Sequence, residues 1–356
     1  MRLCRAGAGC YKGIPMDYAK LWFGLWGVLW AVYFALDGFD LGVGMVGGFV
    51  ARGEAEKRGV FSSIGPFWDG NEVWLVAAGG VTFAAFPGAY AGMFSWFYSA
   101  MFLALFGLIL RGVSLEFRGK VSAPCMKTLL DAGLAAGSFL SALCFGVLFG
   151  NLFRGLPLSA DGYEGSFSGL FNPYGLLTGA LFAALFAAHG SLWLSFKAPG
   201  APAARAFALA KKLWAAAGVL CAAFFTASAF DTALYKNYLE NKYLFAVPLV
   251  CVVAFIFARL LSGKRPDRAF LSSMVSIASL AAFGVIGLYP ALLPSRSDPS
   301  FSVTIYNAAS GPYTLRIMAA VTAAFLPLVI AYQFWVYRLF RAPLTAEELA
   351  KSGLHY

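Results

Sequence analysis

Long apolar runs separated by short polar, mostly basic segments make up most of this chain. Runs near 20–50, 72–86, 89–110, 128–150, 174–196, 207–230, 242–262, 269–291 and 313–338 read as membrane spans, a helix needing roughly 20 residues to cross the hydrocarbon. No Asp, Glu, Lys or Arg falls between Glu72 and Arg111. As one helix that stretch would run about 60 Å at about 1.5 Å per residue, twice the hydrocarbon thickness. Pro87 followed by Gly88 supplies a break. The pattern therefore predicts an all-α polytopic membrane protein with nine spans. Residues 16–356 are expected to form one membrane domain, and residues 1–15 read as a disordered N-terminal extension or an over-called start rather than a cleaved signal peptide, because they lack a long apolar core.

Composition agrees with the pattern. Of 356 residues, 60% are hydrophobic and 12% charged, against roughly 25% charged in soluble domains. So few polar groups cannot cover a water-exposed surface. The net charge of +10 then reflects loops gathered on one side of a bilayer rather than a nucleic-acid partner. Roughly two-thirds of the 27 Lys and Arg fall in loops 51–71, 111–127, 197–212 and 259–268 and in the C-terminal tail. That bias predicts an outside N-terminus and a cytoplasmic C-terminus.

Acids inside apolar runs are the first candidates for chemistry. "ALDGFDLGVG" places Asp37 and Asp40 three residues apart on one helix face. Each costs about 2.5–3.5 kcal/mol at a helix centre in the bilayer, so the face must look inward. Gly38, Gly42, Gly44 and Gly48 allow another helix to approach closely. The acids serve either a proton path or a satisfied hydrogen-bond network between helices. "GPFWDGNEVW" sets Asp69, Asn71 and Glu72 at the start of the second span. Asp69 either caps that helix, where its charge suits the dipole, or collects protons at a cytoplasmic mouth. Trp68 and Trp74 suit the interface. Arg111, Glu116 and Arg118, in "RGVSLEFR", close the third span, first as interfacial anchors and second as partners for Asp37, Asp40 or Asp69.

Metal and redox ligands are scarce. Cys4, Cys10, Cys125, Cys144, Cys221 and Cys251 form no CxxC motif, and three of them sit in apolar runs as small hydrophobes. The two histidines are His189 and His355. His189 is the least unlikely haem ligand, although a hydrogen-bonded helix histidine is the plainer reading.

"ALDGFDLGVGM", "GPFWDGNEVWLVAAGG", "FGNLFRGLPL", "LFNPYGLLTG" and the terminal "GLHY" resemble, in order, subunit II of the cytochrome bd quinol oxidases, including the cyanide-insensitive branch. The resemblance implies a bacterial cytoplasmic-membrane protein of nine helices, arranged as two four-helix bundles plus a peripheral helix. It implies a partner, subunit I, that carries two b-type haems and one haem d, oxidises quinol and reduces dioxygen to water. This chain would bind no haem and would contribute to a proton route. On that resemblance Asp69 matches the acid at the route's cytoplasmic end, Asp37 and Asp40 match the first-span acids, and Trp74 matches a residue near an apolar oxygen tunnel. The resemblance leaves room for a structural quinone and a small accessory transmembrane subunit, with lipid around the whole. Two rival readings stand beside it: a stand-alone transporter coupling ions at Asp37 and Asp40, and a purely structural scaffold.

Overall fold

The computed structural model describes residues 17–343. The N-terminal extension, the "GLHY" tail, His355, Cys4 and Cys10 lie outside the described residues. The chain is helical almost throughout, in the order α1 (Tyr18–Val50), α2 (Gly53–Ser62), α3 (Trp68–Ala85), α4 (Pro87–Trp96), α5 (Tyr98–Arg118) and α6 (Pro124–Arg154), then α7 (Pro173–Lys197), α8 (Ala201–Asp231), α9 (Tyr235–Glu240), α10 (Ala246–Leu261), α11 (Pro266–Leu288) and α12 (Pro312–Leu339). Two short antiparallel hairpins, β1 (Leu158–Ser159) with β2 (Gly162–Tyr163) and β3 (Ala291–Leu293) with β4 (Val303–Thr304), lie at one end of the molecule. A bridge between Leu156 and Ser295 ties them together.

Among the described residues, eight helices are long and apolar enough to cross a membrane. The ninth expected span is α3, whose 18 residues carry Asp69, Asn71 and Glu72 in the first turns and so dilute its apolarity. α1, α3, α5 and α6 form one group, α7, α8, α10 and α11 a second, and α12 lies outside against α1 and α3. Two boundaries differ most from the pattern-based reading. The third span begins at Tyr98 rather than residue 89, because Phe97 departs from helical geometry and leaves α4 as a short helix of its own against β3 and β4. The same span runs on to Arg118, so Arg111 is a helix-interior residue and not the start of a loop.

α1 sits at the centre, in contact with α3, α6, α7 and α11. Its N-terminus is capped by Asp17, which accepts from the Lys20 backbone N–H at 3.2 Å. Near its middle the helix touches α7 backbone to backbone. A Cβ on Gly42 would lie 1.9 Å from the Phe186 carbonyl oxygen, and one on Gly190 would lie 2.4 Å from the Gly42 carbonyl carbon. Gly44 meets Ser138 of α6, whereas Gly48 faces open space. Small residues that let helices close in this way are the usual device inside bilayers, where dispersion replaces the hydrophobic effect.

At the end carrying α2, acids and bases interlock. Arg118 binds Asp131 and reaches Glu54 at 3.0 Å, and Lys57 reaches Asp131 at 2.7 Å. Arg205 pairs with Glu56 and donates to the Val50 carbonyl at 2.6 Å. Partial burial pushes the Glu54 carboxyl up, but hydrogen bonds and charge from Lys127 and Arg118 outweigh this and hold it below the ordinary carboxylate range.

Gly190→Leu is expected to destabilise the fold by at least about 1–3 kcal/mol, the usual cost of overpacking, while Gly48→Ala is expected to be neutral. Thermal unfolding of the two variants in mild detergent checks this; equal melting temperatures would contradict the backbone contact.

Candidate functional site

Four buried polar residues, Asp37, Asp40, Asn71 and Arg111, converge where α1, α3, α5 and α12 meet. Asp37 and Asp40, three residues apart on α1, point to the same side as the helical repeat requires, and both are inaccessible to solvent. Arg111 comes in from α5 and is equally buried. Its Nη1 donates to Asp37 Oδ1 at 2.6 Å and its Nη2 donates to Glu72 Oε2 of α3 at 3.0 Å. The guanidinium lies 5.8 Å from the centre of the Trp68 ring, a cation–π distance. One residue before Glu72, Asn71 Nδ2 donates to Asp40 Oδ2 at 2.7 Å. Asn71 Oδ1 accepts from Gln333 Nε2 and from the Tyr337 hydroxyl of α12, each at 2.9 Å.

One guanidinium thus pairs with two carboxyl groups, Asp37 and Glu72, while the third, Asp40, is held by the Asn71 amide. Asp37 Oδ2, Asp40 Oδ1, Arg111 Nε and the Tyr33 hydroxyl are buried without a protein partner. Buried polar groups are nearly always satisfied, so this cluster has capacity left for water or mobile protons.

The structure therefore joins Asp37, Asp40, Asn71, Glu72, Arg111 and Trp68 in one cluster. It keeps the others apart. Arg118 pairs with Asp131 and Glu54 rather than with any acid of α1, because it lies two turns beyond Arg111 at the α2 end. Glu116 faces outward and pairs with Lys120 at 3.4 Å. Asp69 is exposed in the first turn of α3, where it makes no side-chain cap bond. Gln333 and Tyr337 were not singled out from the sequence; the one signal was an amide inside the apolar run of α12.

An apolar cavity of about 330 Å³ opens between α3, α4, α5 and α6 and is lined by residues that include Trp30, Phe97, Met101, Phe145 and Phe149. Neither Trp68 nor Trp74 lines it. Trp74 is itself buried.

His189 on α7 has both ring nitrogens engaged. Nδ1 lies 2.6 Å from Ser273 Oγ and Nε2 lies 3.1 Å from the Ala35 carbonyl oxygen. The ring stacks on Phe270 with centroids 4.5 Å apart. With no free nitrogen and an aromatic ring across its face, His189 does not fit an axial haem ligand. Among the described residues no group of three or more His, Cys, Asp or Glu is placed to hold a metal ion.

Comparison with known proteins carries the assignment. The sequence profile for cytochrome bd terminal oxidase subunit II matches residues 18–340. Cytochrome bd ubiquinol oxidase subunit 2 of Bacillus subtilis (strain 168) is 36% identical over 330 residues, covering 92% of this chain and 97% of that protein. Cytochrome bd-I ubiquinol oxidase subunit 2 of Escherichia coli (strain K12) is 32% identical over 375 residues, covering 95% and 98%. A chain in the structure of bd oxidase from Geobacillus thermodenitrificans shares the fold, with a TM-score of 0.73 at 18% identity and coverage of 91% and 99%. Near end-to-end similarity and a shared helical scaffold agree: this chain belongs to the cytochrome bd terminal oxidase subunit II family.

Proposed function

We propose that the chain works as the haem-free partner of a haem-bearing subunit I in a bacterial quinol:oxygen oxidoreductase, and that it supplies part of a proton route from the cytoplasm. The observation that carries this is the cluster in which Arg111 pairs with Asp37 and Glu72 while Asp40 rests on Asn71, with two carboxyl oxygens unpartnered in the interior. Reducing dioxygen to water consumes protons as well as electrons. Buried acids in excess of their counter-charge hold and release protons at modest cost, because a proton relieves the burial of an unpaired charge. Asp69, exposed at the start of α3, stands three residues before Glu72 on the same helix and so one turn from the cluster. It is the natural collector at the mouth of the route. The basic end that carries α2 faces the cytoplasm in this reading.

The residues of this chain do the following work. Asp69 takes a proton from bulk water. Glu72 receives it at the edge of the cluster, where its side chain is about a quarter exposed and still reached by water. Arg111 holds Glu72 and Asp37 in place through its two hydrogen bonds. The two b-type haems and the haem d belong to subunit I in this proposal, as do quinol oxidation and dioxygen reduction; a structural quinone and a small accessory subunit are compatible with it.

Three results test the proposal. In the assembled complex with full haem content, Asp69→Asn is expected to slow oxygen consumption several-fold, and normal turnover would leave only the scaffold role. The chain expressed without subunit I is expected to be colourless in the visible spectrum and to gain haem absorption only with that partner; haem bound to the isolated chain would refute the division of labour. Arg111→Met strands Asp37 without its counter-charge and is expected to destabilise the fold by about 3–5 kcal/mol, read as a lowered melting temperature in detergent.

A further inference from the structure

α12 touches the rest of the molecule along one narrow stripe. Leu315, Met318, Thr322, Leu326, Gln333 and Tyr337 recur at helical spacing and are shielded to some degree, with Ala319 and Val336 beside them, while the other residues between Leu315 and Tyr337 are exposed. A helix attached so lightly is held by its few polar ties. At its start the Trp22 indole N–H donates to the Leu315 carbonyl at 3.0 Å. At its far end Lys197 Nζ binds the carbonyls of Phe340 and Ala342, the latter at 3.0 Å. Between these ties Pro327, inside the helix, has no N–H to give and leaves a carbonyl of the preceding turn without its usual donor. The half of α12 beyond Pro327 carries Gln333 and Tyr337, and those two side chains bind the same atom, Asn71 Oδ1.

An asparagine amide is ambiguous: one end accepts, the other donates, and a half-turn about its last bond exchanges them. At Asn71 the ambiguity is removed from both sides. The Leu36 carbonyl, 3.4 Å away, can only accept, so Nδ2 faces α1 and also donates to Asp40 Oδ2 at 2.7 Å, which leaves Oδ1 to accept from the Gln333 amide and the Tyr337 hydroxyl of α12. Donors converging on the amide oxygen also polarise the group and strengthen the bond that its N–H₂ makes. If the α12 donors are removed, the amide is free to turn its oxygen toward Asp40, where it can accept a hydrogen bond from a protonated carboxyl but cannot donate one to a carboxylate.

We infer that Tyr337 and Gln333 are positioning residues for Asp40, acting through the orientation of Asn71. α12 is then not a passive outer helix. It sets whether Asp40 faces a donor or an acceptor, and so which protonation state of Asp40 the site accommodates. This inference rests on the proposed proton route for its functional meaning, but its structural content can be read without any turnover.

The experiment uses the complete, haem-loaded complex and follows the infrared carboxyl band that disappears in Asp40→Asn. Tyr337→Phe removes one hydroxyl at nearly constant shape, and Gln333→Leu removes the amide. Each is expected to shift the Asp40 band to higher frequency, as a carboxyl does when it loses a hydrogen-bond donor, and the double variant to shift it further. Oxygen consumption is expected to fall by about 10- to 100-fold in the double variant, the equivalent of one hydrogen bond to a charged group. An unmoved band in the double variant at native haem content overturns the inference. If the double variant does not assemble, the isosteric Tyr337→Phe decides alone, and an unmoved band there overturns it equally. Normal turnover in Asp69→Asn would remove the proton route while leaving the band shift expected. An unmoved band would remove the role of α12 while leaving the route intact.

Discussion

One buried guanidinium organises the first half of this molecule. Arg111 lies in the interior of a helix that crosses the membrane, where an unpaired charge is prohibitive, and it is held there by Asp37 and Glu72 from two other helices. The converse holds for the acids. Without Arg111 the DGFD segment of α1 and the DGNE segment of α3 could not lie against each other in an apolar setting. Buried ion pairs are weak sources of net stability, since desolvation offsets most of the attraction. Their geometric demand is strict, however: α1, α3 and α5 have one relative placement that satisfies all three groups. Helix packing and site geometry are therefore the same constraint seen from two sides.

A second constraint works through small residues rather than charges. Gly107 of α5 and Gly137 of α6 face each other closely enough that a Cβ on either would lie within 3 Å of the other's carbonyl oxygen, much as Gly42 and Gly190 do between α1 and α7. Aromatic side chains fill what the glycines leave. Trp30, Phe34, Phe145 and Phe149 meet mainly edge to face, with Phe34 and Phe149 5.1 Å apart, an arrangement that ring quadrupoles favour. Rings packed in this way keep the interior between α1 and α6 apolar.

Much of this was legible in the chain itself, and the failures have specific causes. Apolar runs of sufficient length announced the spans, because the bilayer sets the length directly. The break at Pro87 could be read since proline carries it, but the second break, at Phe97, has no proline or glycine to mark it, and the third span was placed too early. Asp37 and Asp40 stood out as charges in the wrong solvent. Arg111 stood out less, at what resembled the border of a loop, and Arg118 resembled it in every local respect. Only the fold separates them, one meeting Asp37 and the other Asp131. Gln333 and Tyr337 were invisible for a related reason: they lie more than 250 residues from Asn71 along the chain, and nothing local reports such a distance.

The backbone contact between Gly42 and Gly190 has a mechanical corollary. Two helices that touch without side chains between them cannot slide or roll past one another, and the bond from His189 to the Ala35 carbonyl pins the same pair a second time. α1 and α7 thus behave as a single rigid post, with Asp37 and Asp40 mounted on it. Asp37 and Asp40 take their positions from the α1–α7 pair, and Asn71 and Arg111 reach them from helices packed around it.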